Sequence, residues 1–349
     1  MLKLNDTITL CEHCYRHVPA EKFERDGSIW LGKICPAHGY IENLIEPDAE
    51  FYMNYDYKIK LPKGYFIDIT NRCNLKCQHC YQVPDNMSTD RSLNAILDQI
   101  MSWEDDAYGL ALVGAEPTMR KDLDILVKSV FELPIKTRRT IILSNGVRLS
   151  DIDYARKFVG IEKLIWTFGL NHPDYHGSKI RNKQMIGIEN CIKLGLTIKD
   201  ISYTLDDMSQ IEYCLEEIQE LYKKTSANFR IRCSADIGRN PKQPQIYLSQ
   251  LVQRTKEIAA KNNWSITPLE KDGIRAHYPF MINGIYVKII QWPDSGTLDL
   301  EEIQTEAWAD ILPDYPISPL VHQVILRDAL LNKGLPLPDL VPEKYRRHP

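Results

Sequence analysis

The chain has no run of roughly 18 consecutive apolar residues, so no segment reads as a membrane-spanning helix. A basic excess is also missing. A net charge of −4 over 349 residues leaves no electrostatic footprint for duplex nucleic acid, so no nucleic-acid partner is expected. The opening MLKLNDTITLCEHC lacks the charged-then-apolar pattern of a secretory signal. A cytoplasmic, reducing setting is therefore the expectation, and clustered cysteines there read as metal ligands or catalytic groups before disulfides. No repeat at a solenoid period and no low-complexity tract interrupts the chain. Cysteine is scarce, 9 in all, and none follows Cys233.

Six of those cysteines fall into two groups. Cys73, Cys77 and Cys80 lie in DITNRCNLKCQHCYQ with the spacing C-x3-C-x2-C. Upstream, CEHC (Cys11, Cys14) and CPAH (Cys35, His38) form C-x2-C and C-x2-H knuckles twenty residues apart. Two such knuckles supply four ligands for a tetrahedral zinc or a rubredoxin-like iron, a closed site that staples a small segment. His13 reads as a bystander between the first two ligands. The fourth ligand is open, with His38 preferred. The other three cysteines, Cys191, Cys214 and Cys233, read as small buried hydrophobes.

From residue 64 short apolar runs alternate with longer amphipathic segments. The strand candidates are GYFIDIT, YGLALVG, TIILSNG, KLIWTFGLN, IKDISYTL and NFRIRCSAD, each followed by a helical pattern with three- and four-residue apolar intervals. Six strand–helix units in series predict an α/β fold with a parallel sheet, curved toward a partial (βα)6 TIM-like barrel. Residues 1–60 lack a sustained periodic pattern and form the metal-binding segment; 61–264 form the α/β core. Residues 265–349 form an extension that opens with a β-hairpin turning at Asn283-Gly284. It continues through a helix around LVHQVILRDALLN and a proline-rich tail.

The three-cysteine loop follows the first core strand, at the strand end where parallel α/β folds place their active sites. Three thiolates hold three irons of a [4Fe–4S] cluster and leave the fourth without a protein ligand. Alone, the same spacing also serves part of a zinc site or a ferredoxin-like electron carrier, a metal-stapled protein without further chemistry. Taken with its position, it resembles the radical SAM superfamily. That resemblance implies S-adenosylmethionine (SAM) on the fourth iron, reductive cleavage to a 5′-deoxyadenosyl radical, and hydrogen abstraction from a substrate. It also implies an electron donor such as flavodoxin or ferredoxin.

Further stretches resemble the superfamily in order. Tyr81, after the last cysteine, takes the place of an aromatic residue near the adenine. GAEPTMR, from Gly114, is similar to the Gly-Gly-Glu-Pro turn that receives the methionine ammonium, with Ala115 for the second glycine and then Glu116. Ser144 and Asn145 in SNG resemble the Thr-Asn-Gly turn beside the cofactor. On later strands the resemblance points to Asn171 near the ribose, Tyr203 and Thr204, and Arg232 for the SAM carboxylate. CPAHG before an aromatic, acidic segment is similar to the N-terminal part of radical SAM proteins that modify archaeal lipids and pterin cofactors.

Substrate residues are harder to see, because hydrogen abstraction needs positioning more than acid–base power. His172, Asp174, Tyr175 and His176 follow the fourth strand and either contact substrate or cap the next helix. His277, Trp292 and Asp294 flank the hairpin and either close the barrel mouth or form a packed turn. The expected substrate is a small molecule or lipid-like compound, modified by rearrangement, carbon–carbon bond formation or methylation. Transfer of the aminocarboxypropyl group of SAM is the alternative chemistry. The absence of cysteine after residue 240 argues against an auxiliary-cluster domain of the kind many peptide-modifying relatives use.

Overall fold

The computed structural model describes residues 1–14, 16–54, 64–80, 84–102, 109–134, 139–233, 245–270, 277–291, 296–297, 308–312 and 315–317. Among them are two separate sheets. The first is a four-stranded antiparallel meander of β1 (Leu2–Leu10), β2 (His17–Arg25), β3 (Ser28–Cys35) and β4 (Gly39–Glu46). This much regular structure departs from the expectation for the N-terminal segment. The alternation is disguised because Lys22 and Lys33 occupy buried positions among Val18, Phe23 and Leu31. Its consequence is geometric. In a meander, the β1–β2 and β3–β4 turns fall at the same end, so both knuckles meet there. A short helix, α1 (Ala49–Met53), follows, capped by Asp48, which accepts a 2.8 Å hydrogen bond from the Phe51 amide.

The second sheet has 11 strands. Its parallel run comprises β5 (Gly64–Thr70), β6 (Gly109–Gly114), β7 (Thr140–Ser144), β8 (Leu164–Asn171), β9 (Thr197–Leu205) and β10 (Asn228–Cys233), paired in sequence order. The intervening helices are α2 (Leu93–Met101), α3 (Leu123–Glu132), α4 (Ile152–Arg156), α5 (Ser178–Lys193) and α6 (Gln210–Thr225), with α7 (Leu248–Lys261) after β10. All six expected strand–helix units are present. β11 (Ile266–Pro268) joins the hairpin of β12 (His277–Ile282) and β13 (Ile285–Ile290), and β13 pairs parallel with β10. Asn283 and Gly284 both have positive φ, 48° and 78°, as the tight turn of a two-residue hairpin requires. The far edge was not foreseen: β14 (Trp308–Leu312) pairs parallel with β5 and antiparallel with β15 (Tyr315–Ile317). The helix expected around residues 320–332 and the tail lie outside the described residues.

One face of this sheet carries the core. Tyr65, Ile67, Leu112, Ile142, Trp166, Phe168, Ile201, Phe229, Ile231 and Val287 pack with Leu126, Val127, Ile188, Leu215, Ile218 and Leu251 from the helices. Full burial of each such side chain contributes about 1.5–3 kcal/mol. Strand alternation turns the intervening residues to the other face, among them Thr167, Asn171, Asp200, Ser202, Thr204, Arg230, Arg232 and Lys288. No helix among the described residues is long and apolar enough to cross a membrane.

Candidate active site and metal centre

At the shared end of the first sheet, Cys11, Cys14, Cys35 and His38 bring their ligand atoms within 4.8 Å of one another. Cys14 and Cys35 sulfurs are 3.7 Å apart, and the His38 Nδ1 lies 3.4 Å from both Cys11 and Cys35 sulfurs. A tetrahedron with Zn–S arms of about 2.3 Å has edges of about 3.8 Å, so the set fits zinc. His38 is therefore part of the constellation, through Nδ1. Burial works against ionisation of Cys35, but the Ala37 amide and the His38 ring outweigh it and bring the thiol down to about 6. His13 stands beside the His38 ring at 5.1 Å, as a neighbour.

The loop with Cys73, Cys77 and Cys80 is built differently. Among the described residues it forms no set of three or more ligand atoms within 4.8 Å, so it is not preorganised around a single ion. Three spaced thiols suit a cluster several ångströms across. Burial pushes the Cys73 thiol up to about 11, with nearby Glu116 and Cys80 adding to the effect. A bound metal supplies the positive charge that deprotonates such a thiol.

The loop is clamped from both sides. On its outer side, the Cys73 amide donates to Asn86 Oδ1 at 2.9 Å. Thr70 Oγ1 donates to Asp90 at 2.6 Å, and Arg72 pairs with the same carboxylate. Burial opposes ionisation of Asp90, yet Arg72 and Thr70 hold it below the usual carboxylate range. Beneath it, buried Arg120 donates to the carbonyls of Ile69 (3.1 Å) and Arg91 (2.7 Å), tying the ends of the loop to the turn after β6.

That turn explains its glycine. Gly114 has φ +130°, and an added Cβ would collide with the Thr70 carbonyl, so β6 approaches β5 as only glycine permits. Ala115 at the next position donates its amide to that carbonyl at 3.0 Å and needs no such freedom. Glu116 follows, 1% exposed, with its carboxylate turned inward. Oε1 accepts from Thr118 N, Thr118 Oγ1 and Ser144 Oγ at 3.1, 2.6 and 2.8 Å, and Oε2 accepts from Asn145 N at 2.7 Å. Burial raises its pKa against those donors. Asn145 then reaches across to Asn74, inside the cysteine loop, through a 2.8 Å side-chain hydrogen bond. From behind, α5 donates Gln184 Nε2 to the Asn145 carbonyl at 3.0 Å. The turns after β5, β6 and β7 thus form one hydrogen-bonded unit.

The turn after β8 completes the ring of contacts. His172 accepts from the Asp174 amide and packs its ring on Tyr213, while Asp174 is exposed, so these two cap a turn. Tyr175 Oη accepts the His79 amide at 2.8 Å, and His176 Nε2 lies 3.3 Å from Cys77 Sγ and 3.3 Å from the Asn171 amide. His79, unremarked in the sequence, lies tilted against the Tyr175 ring at 4.6 Å and pairs with Asp206 at the end of β9. Arg232 Nε donates to Thr204 Oγ1 at 3.0 Å on the same face as Asn171. Tyr203 does not join them. It is fully buried on the helical side, with its hydroxyl donating to Glu217 of α6, because strand alternation gives it the opposite face. His277 starts β12 opposite Ile290, at the end of β13 nearest the loops. Tyr81, Trp292 and Asp294 lie outside the described residues.

Comparison with known proteins agrees with this geometry. Residues 67–221 match the family model of the radical SAM superfamily, and residues 3–47 that of the HMPTM N-terminal zinc ribbon domain. The chain is 27% identical over 228 residues to the 7,8-dihydro-6-hydroxymethylpterin dimethyltransferase of Methanocaldococcus jannaschii, covering 54% of this chain and 44% of that protein. It is 30% identical over 165 residues to the Fe-coproporphyrin III synthase of Methanosarcina barkeri, covering 43% and 40%. The chain therefore spans less than half the length of these two relatives. With the GTP 3′,8-cyclase of Campylobacter jejuni, identity is 25% over 177 residues, covering 47% and 53%. Among solved structures, Streptococcus suis SuiB bound to S-adenosylmethionine superposes with a TM-score of 0.51 at 14% identity, over 80% of this chain and 67% of that one, which supports the fold. With its matched core and the zinc ribbon ahead of it, the chain carries a radical SAM domain, of the superfamily whose enzymes work with a [4Fe–4S] cluster and SAM.

Proposed function

We propose that Cys73, Cys77 and Cys80 hold the [4Fe–4S] cluster. SAM then lies along Gly114, Ala115, Ser144, Asn145, Asn171 and Arg232 at the mouth of a partial (βα)6 barrel formed by residues 61–264. The observation that carries this reading is the Asn74–Asn145–Glu116 chain of hydrogen bonds, which locks the cysteine loop to the two turns expected beside SAM. An electron carrier has no need for that coupling. When bound, the pair supplies one-electron cleavage of SAM and hydrogen abstraction from a substrate.

The chain's own residues set the stage for that step. Glu116 positions the turns rather than presenting a free carboxylate, since its oxygens accept four hydrogen bonds inside the protein. Arg232 offers a planar cation for a carboxylate, held in place by Thr204. The sheet face opposite the packed helices favours a polar small molecule over a lipid-like one. Asp200, Ser202, Thr204, Arg230 and Lys288 lie on it, Asp200 paired with Arg230 and Thr204 with Arg232, and a hydrocarbon chain would offer these polar groups no hydrogen bond. The relatives named for a hydroxymethylpterin and for GTP fit a polar substrate. The N-terminal segment, residues 1–60, holds a closed structural metal site, and β11–β13 and β14–β15 extend the sheet at its two edges.

Anaerobic reconstitution with iron and sulfide, followed by SAM and a strong reductant, tests the reading through the nucleoside released. 5′-Deoxyadenosine is the expected product. Methylthioadenosine instead assigns the chain to aminocarboxypropyl transfer, and no nucleoside together with no visible cluster absorbance removes the reading altogether.

A further inference from the structure

We propose that His176 donates a hydrogen bond from Nε2 to the Cys77 sulfur and so raises the reduction potential of the cluster, as a positioning residue. The proposal rests on the reading of Cys77 as a cluster ligand. The geometry already brings Nε2 to 3.3 Å from Sγ, across 99 residues of sequence. Once Cys77 is a metal thiolate it only accepts, and the imidazole beside it is able to present an N–H to it. The Asn171 amide, 3.3 Å from the same nitrogen, can turn its oxygen to that N–H, which is then shared between the sulfur and the amide oxygen.

The ring is held where it is. Its turn runs Pro173–Tyr175 as a 3-10 helix capped by His172, and the Tyr175 ring meets His176 edge-on at 4.9 Å. Tyr175 is itself tied to the cysteine loop through the His79 amide. Two successive residues of one turn therefore grip Cys77 and His79, the pair flanking Gln78. A hydrogen bond to a cluster-ligating sulfur stabilises the more negative, reduced state, and such bonds are among the levers that set iron–sulfur potentials.

The test is a potentiometric titration of the reconstituted full chain, followed by electron paramagnetic resonance of the reduced cluster. His176→Phe keeps a planar ring and removes the donor; its potential is expected to fall by a tenfold change in the reduction equilibrium, about 59 mV for one electron. His176→Gln retains an N–H and is expected to stay near the parent. An unchanged potential in His176→Phe, or equal shifts in both variants, overturns the proposal. If His176→Phe takes up no iron, His176→Leu stands in as the variant without a donor, and a potential there equal to the parent's overturns the proposal. A parent chain that binds no cluster defeats the reading of the loop first, and the hydrogen bond with it.

Discussion

The chain carries two cysteine sites of opposite design. In the ribbon, four ligand atoms converge within 4.8 Å because the two knuckles sit on adjacent turns at one end of an antiparallel meander. The ligand set is complete, and the ribbon's local fold brings it together. In the core, three cysteines share one loop on a parallel sheet, and that loop is shaped from outside by Asn86, Asp90, Asn145, Tyr175 and His176. A structural site is built by its own scaffold, whereas a site for chemistry borrows its shape from neighbouring turns, which can also hold a second ligand. The comparison predicts that the two sites fail separately.

The largest effects are expected where a ligand itself is removed. Cys73→Ala should abolish iron uptake on reconstitution while leaving the zinc content of the purified chain unchanged, measured by elemental analysis. Loss of both metals would show that the sites are not independent. Cys35→Ser is the reciprocal variant. It should lose zinc and make residues 1–46 sensitive to limited proteolysis, because a segment this small depends on its staple, while iron uptake persists. Retention of a protease-resistant ribbon would mean that its core of Leu10, Val18, Phe23, Ile29 and Leu31 suffices without metal.

The same contrast governs what could be read from the sequence. The four ribbon ligands were legible because metal chemistry restricts residue type and spacing, and the twenty-residue gap between knuckles corresponds to β2 and β3. The six strand–helix units were legible because their apolar periods are clean. The ribbon strands were not, since buried Lys22 and Lys33 break the pattern that marks a strand, and a lysine's position says nothing of the partner that neutralises it. The supporting residues of the three-cysteine loop were also hidden. His79 and Asp206 are 127 positions apart, and their pairing depends on loops that only the folded sheet brings together. Tyr203 went to the wrong face for a reason that strand alternation already contains: Ser202 and Thr204 share the face of Asn171, and Tyr203 does not.

A smaller effect separates positioning from ligation. Glu116→Gln leaves every cysteine in place but turns an NH2 group toward amide and hydroxyl donors that now share a carboxylate. At least one buried hydrogen bond is lost, at a cost of about 1–3 kcal/mol. Thermal unfolding should show that loss, and iron content should remain. SAM affinity, measured by equilibrium dialysis, should fall because the Ser144–Asn145 turn loses its anchor. Unchanged SAM binding would detach Glu116 from the cofactor site.

The smallest expected effect tests how tightly the ribbon is joined to the core. Glu46, at the end of β4, accepts from the Ser249 hydroxyl and, at 3.3 Å, from the Ser249 amide in the first turn of α7. Burial raises its pKa, outweighing those donors. The sign follows from linkage: a carboxyl raised on folding binds its proton more readily in the native state, so the native state gains stability as the pH falls through the raised value toward the ordinary one. That gain is lost as the pH rises back through the raised value. Glu46→Gln keeps an acceptor for Ser249 and has no proton to bind. Its melting temperature should therefore vary less with pH in the window just above the ordinary glutamate range. The change in stability should stay within about 1 kcal/mol, the scale of one net hydrogen bond. An unaltered pH profile would mean that Glu46 remains charged and well solvated at this junction, and that the ribbon rests on the core through its other contacts, such as the Lys33 ammonium donating to the Gly296 carbonyl at 2.8 Å.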